Sequence, residues 1–169
     1  MKNILYLTIA LFIASVGNLK AQNWDAATAA DLCNVLLEDD GSELGNCMTR
    51  NGYYLVNNFD TTDGGFASLF SRNCTVDING NVQSLSSKGV SSIVVCYNPI
   101  EQSKQVVITL FSAPNATKFR QQMLDLGFTK TGTARGKTTY RLEEYELQAT
   151  EYADKMGRYN IYMFHLSFE

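Results

Sequence analysis

A single histidine, two prolines and one tryptophan are spread over 169 residues. One histidine rules out a histidine metal cluster by number alone. A Ser–His–Asp triad would have to use His165, and no G-x-S-x-G elbow supplies the serine. Phosphate loops, dinucleotide fingerprints, haem motifs and C-x-x-C pairs are all missing. No cofactor and no metal is therefore expected. Charge is scarce as well, at 18% of residues, with 17 acids against 14 bases. That balance argues against general nucleic-acid binding. Beyond the N-terminus no apolar run approaches the roughly 18 residues of a membrane span, so no transmembrane segment is expected.

The sustained apolar run that does exist is Ile4 to Val16, behind the positive start Met1-Lys2-Asn3. This is the layout of a secretory signal. Residues 1–21 read as a signal peptide, and 22–169 as a single domain of about 148 residues, enough for a real core. The first cysteine, Cys33, lies well past the run, where a lipid anchor would not be built. The expected location is periplasmic or secreted, in a bacterium. Losing Lys2 and Lys20 would leave 12 bases against 17 acids. Residues 22–97 hold three basic and nine acidic side chains, and residues 98–169 hold nine and eight. Lys118, Arg120, Lys130, Arg135, Lys137 and Arg141 could form a mildly basic patch.

Four cysteines, an even count, favour two disulfides in an exported chain. The pairing that closes short local loops is Cys33–Cys47 with Cys74–Cys96. Each bridge would add roughly 2–4 kcal/mol.

Asn23 to Asp39 reads as a helix, capped by Asn23 or Asp25, covered at its start by Trp24 and ended by Gly41. Residues 40–51 read as a polar connection. Gly52 to Asn57 is a strand pattern and Asn58 to Gly65 a loop. That loop fails as a calcium site, because no alignment puts glycine sixth and glutamate twelfth. Asn79-Gly80 predicts a two-residue turn in a small hairpin over 75–84. Strands are expected at Ile93 to Tyr97 and Gln105 to Phe111. In the second, Val106, Ile108 and Leu110 face one side and Val107 and Phe111 the other, which suits a central strand. A helix follows over Ala116 to Leu126, capped by Asn115 and ended by Gly127, with Phe128 packing back on Met123.

The C-terminal stretch Lys137 to Phe168 reads as one long hairpin. Its return arm sets Tyr162, Phe164, Leu166 and Phe168 on one face. In the first arm Tyr140 and Leu142 have one parity, and Tyr145, Leu147 and Ala149 the other. A β-bulge at Glu143-Glu144 would bring them to one face. The predicted fold is α+β: a mainly antiparallel sheet with two helices on one face and the hairpin as its last strands. Phe119 and Met123 should cover Phe164 and Leu166. The order helix, polar link, strands occurs after Asn23 and again after Asn115, a possible internal repeat.

With no catalytic constellation, the reading is non-enzymatic. The chain is expected to be an exported interaction module of the envelope, binding a protein or an envelope polymer. Tyr140, Tyr145, Tyr152 and Tyr159 are the candidate binding surface, since tyrosine recurs at recognition surfaces. Two alternatives stand beside it. One is a small glycan hydrolase using carboxylates among Glu143, Glu144 and Glu146. The other is a structural envelope protein, oligomeric through the edge of the final hairpin.

Overall fold

A computed structural model describes residues 26–38, 41–77, 82–85, 91–156 and 158–169. The expected signal peptide, Asn23, Trp24 and Asp25 lie outside these residues, as does the Asn79-Gly80 turn. The fold is broadly α+β and mainly antiparallel sheet, as the strand patterns imply. Three helices, not two, occur among the described residues.

Helix α1 runs Ala29–Leu37 and is capped by Thr28, not by the residues before it. Thr28 and Asp31 form a capping box: the Asp31 amide donates to Thr28 Oγ1, and the Thr28 amide to Asp31 Oδ2. At the other end Lys104 Nζ donates to the carbonyls of Val35 and Glu38, filling the role of a C-cap. Gly41 does not end α1. It holds φ +78 as the N-cap of α2, Ser42–Arg50, which occupies the expected polar connection. Only Cys47 and Met48 of α2 are buried. The helix is tied to α1 by an Arg50–Asp31 ion pair at 2.6 Å.

Strands β1 (Tyr54–Asp60), β2 (Phe66–Arg72), β5 (Ser91–Asn98) and β6 (Ser103–Leu110) form the first half of the main sheet. Between β2 and β5 lies a separate small hairpin, β3 (Cys74–Val76) with β4 (Val82–Leu85), where a hairpin was expected. Helix α3, Ala113–Asp125, is capped by Ser112 rather than Asn115, with Pro114 in its first turn. It ends in a Schellman motif: the Phe128 amide donates to Met123 O at 3.1 Å and the Gly127 amide to Leu124 O at 3.0 Å. Gly127 takes φ +98, and Phe128 is buried.

The second half is β7 (Thr129–Ala134), β8 (Lys137–Leu142), β9 (Leu147–Met156) and β10 (Tyr159–Phe168). The eight strands are ordered β1-β2-β5-β6-β10-β9-β8-β7, all antiparallel. Strand β6 is central, as its apolar faces predict.

The long hairpin needs correction. Its first arm is not one strand, because the chain reverses at Glu143–Tyr145, a 3-10 turn, and β8 pairs with β9. Glu146 enters the left-handed region at φ +53 to complete the reversal. The parity switch is thus a turn, not a bulge, yet Tyr140, Leu142, Leu147 and Ala149 still reach one buried cluster. Nor does the β9–β10 hairpin offer a free edge: β10 pairs with β6 and β9, and β9 with β8. The edge expected to carry oligomerisation is thus paired within the sheet.

That cluster is the core. It joins residues of all three helices to Ile93, Val106, Ile108, Leu110, Phe164 and Leu166. Phe119 of α3 meets Phe164 with ring centroids 4.8 Å apart, the contact expected from the two patterns. Alternation along β10 puts His165 on the opposite face of the sheet.

Candidate functional site

On the His165 face, a concave pocket of about 430 Å³ opens over the second half of the sheet. Register brings its wall together. His165 pairs with Thr150, Thr150 with Thr139, and Thr139 with Gly132, so four strands contribute one row of side chains. The next row pairs Tyr152 with Lys137 and Lys137 with Ala134. Thr133 completes the lining, and no carboxylate belongs to it. Gly132 brings no side chain to the row, and a Cβ there would lie 3.4 Å from Thr139 Oγ1. Arg135 and Gly136 turn the chain from β7 to β8 with φ +51 and +75, the two positive values of a tight hairpin.

Three groups carry the chemistry. Lys137 Nζ sits 5.2 Å from the centre of the Tyr152 ring. Among the described residues no carboxylate lies within ion-pair distance of it. The half-buried Thr150 hydroxyl has no protein partner among the described residues. His165 Nε2 lies 2.9 Å from Gln105 Oε1, an acceptor, so Nε2 carries the hydrogen and Nδ1 is the nitrogen that titrates. Burial, aided by the charge of Lys137, holds the His165 pKa below its ordinary value. The imidazole is therefore neutral at pH 7. Among the described residues its one fixed partner is a neutral amide, and no carboxylate orients it as in a catalytic triad.

Compared with known protein families, curated proteins and solved structures, the chain matches none.

The four candidate tyrosines do not share a surface. Tyr152 lines the pocket. Tyr159 lies on the same face but packs edge-on against Phe111 at 6.5 Å, under the Arg158 guanidinium. Tyr140 is buried on the Phe164 face, where its hydroxyl donates to Glu151 Oε2 at 2.8 Å. Burial and that carboxylate push its pKa up to about 12. Tyr145 packs partly against the core from the 3-10 turn.

The basic patch also divides. Arg120 forms an ion pair with Glu151, and Arg141 with Glu143 and Glu169. Lys137 alone of the six lines the pocket. Glu143, Glu144 and Glu146 sit in or beside the 3-10 turn, outside the pocket lining, and the Glu143 side chain is 72% exposed.

All four cysteines are free thiols, which overturns the expected bridges. The Cys74 thiol lies 3.6 Å from Ser91 O, at the start of β5, and Cys96 lies five residues further along that strand. At about 3.3 Å per residue the gap is roughly 16 Å, far beyond disulfide reach. Cys33 and Cys47 enter the core from α1 and α2, where Asn51 Nδ2 donates to Cys47 Sγ at 3.8 Å. Burial pushes both thiols up to about 12, so neither is a ready nucleophile.

Proposed function

We propose that the protein is an exported, non-enzymatic binding module of the bacterial envelope. Its site is the pocket of β7–β10 and its partner an envelope polymer. The N-terminal apolar run supports export. The observation that carries the binding role is the pocket lining itself: hydroxyls, one aromatic ring and a lysine with no counter-charge among the described residues. Such a surface binds polar groups but holds no nucleophile activated by an oriented base. On this reading the helices cover only the Phe164 face and leave the His165 face to the partner.

Titrating isotope-labelled protein with soluble polysaccharide from bacterial envelopes tests this. Amide resonances of Gly132–Thr139, Thr150–Tyr152 and His165 should shift, and the polymer should be recovered uncleaved. Shifts confined to β1 or α2 would misplace the site, and turnover of the polymer would overturn the non-enzymatic role.

A further inference from the structure

The chemistry of this pocket narrows what fits it. Lys137 supplies one positive charge that no protein carboxylate neutralises among the described residues. An ammonium over an aromatic ring is held by only about 0.5–1 kcal/mol at an exposed site, so an anion can draw it away. Once it moves, the face of Tyr152 is uncovered beside it. The hydroxyl-bearing Thr139 and Thr150, paired with each other across β8 and β9, line the same pocket. Thr131 donates to Thr139 at 3.1 Å and Thr139 donates to Gly132 O at 3.5 Å, so the Thr139 hydroxyl is largely satisfied, while Thr150 has no protein partner among the described residues. A ring to stack on, hydroxyls to share and a single cation suit a sugar that carries one acid group. The absence of any acidic lining residue removes the repulsion such a ligand would meet.

Building on the binding role proposed above, we infer that the pocket takes a uronate unit. Its carboxylate pairs with Lys137, its ring lies over Tyr152, and its hydroxyls bond to Thr139 and Thr150. His165 then faces a bound anion. The groups that face it are Gln105 and Val107 on β6, Thr150 and Tyr152 on β9 and Lys137 on β8. Of these only Lys137 and Tyr152 can ionise.

Calorimetry and resonance titration with digalacturonate test the inference, with neutral galactobiose and acetate as controls. Digalacturonate should shift the pocket amides, and the two controls should bind at least about tenfold more weakly. Lys137→Gln should weaken digalacturonate about tenfold with an unchanged melting curve, and Thr150→Val about threefold. Affinity should rise about two- to tenfold from about pH 7.5 to 5.5, and this rise should vanish in His165→Gln. A free acidic sugar and an acidic residue of a polymer present the same chemistry. Comparing digalacturonate with polygalacturonate separates these sources, and binding of either supports the uronate. Equal binding of galactobiose, or an unaffected Lys137→Gln, overturns it. If envelope polysaccharide moves the pocket resonances and no uronate does, this inference fails while the binding role stands. If nothing moves them, both fail.

Discussion

The two halves of the sheet have one plan and opposite outcomes on the His165 face. Each is a four-stranded meander that follows a helix, and their fourth strands, β6 and β10, pair at the centre. They differ in the link from second to third strand. In the first half that link holds the β3–β4 hairpin, whose Cys74 packs with Leu69, Val56, Val94 and Phe111. Leu69 packs with Cys74 and the Ser71 hydroxyl donates to Cys74 O at 2.7 Å, and both residues are buried. In the second half the link is only the 3-10 turn and Glu146. Nothing described crosses the face there, and the side chains at the corresponding strand positions are Thr139 and Thr150. What sits between the second and third strands decides whether this face becomes a small second core or a wet pocket.

The sharpest test sets Leu69 against Thr139, each on the second strand of its half. Leu69 is 4% exposed within an apolar cluster. Leu69→Ala should destabilise by about 2–4 kcal/mol. Thr139 is exposed, and Thr139→Ala should stay within about 0.5 kcal/mol. Urea unfolding of both variants measures the contrast. Similar losses at the two sites would mean that the second half is sealed after all.

Much of this plan could be read from residues near one another. The Phe164 face of β10, the centrality of β6 and the glycine end of α3 are local patterns, and each holds. Helix α2 was hidden because only Cys47 and Met48 bury, and its anchor is the distant Asp31. The β8–β9 reversal was hidden because Glu146 takes a left-handed conformation without being glycine. The pocket was the least legible. Threonines on three strands mean nothing until register lines Thr150 up with Thr139 and His165. Disulfide arithmetic misled because an even count carries no geometry, and Cys74 and Cys96 meet β5 at different heights.

The first turn of each half gives a second, smaller contrast. Gly65, just before β2, is buried, and a Cβ there would lie 2.6 Å from Tyr97 O and 2.9 Å from Thr61 Oγ1. Backbone must shift to admit it, so Gly65→Ala should destabilise by about 1–3 kcal/mol. Gly136 has open space around it and only its φ of +75 to object. Gly136→Ala should lose about 1 kcal/mol, through that conformation alone. Thermal melts rank the two, and a larger loss at Gly136 would reverse the view that the first half is the tightly packed one.

The smallest effect is one of pH, and it belongs to the open half. The folded pKa of His165 lies below its ordinary value of 6.5, first through burial and then through Lys137. Above about 6.5 the ring is neutral whether folded or unfolded, and its contribution is whole. As pH falls below that value the unfolded chain takes up a proton before the folded one, so stability declines until the folded pKa is passed. Glu151 acts in a lower window. Despite its burial, the hydrogen bonds from Arg120 and Tyr140 keep its pKa below 4.5, so its contribution is present above 4.5 and is lost as pH falls through the folded value. Urea midpoints followed downward in pH should therefore drop in two stages. His165→Gln should flatten the upper stage and leave the lower intact. A variant that kept both stages would show that the imidazole is as well hydrated when folded as when unfolded, and that the open half is shallower than its pocket implies.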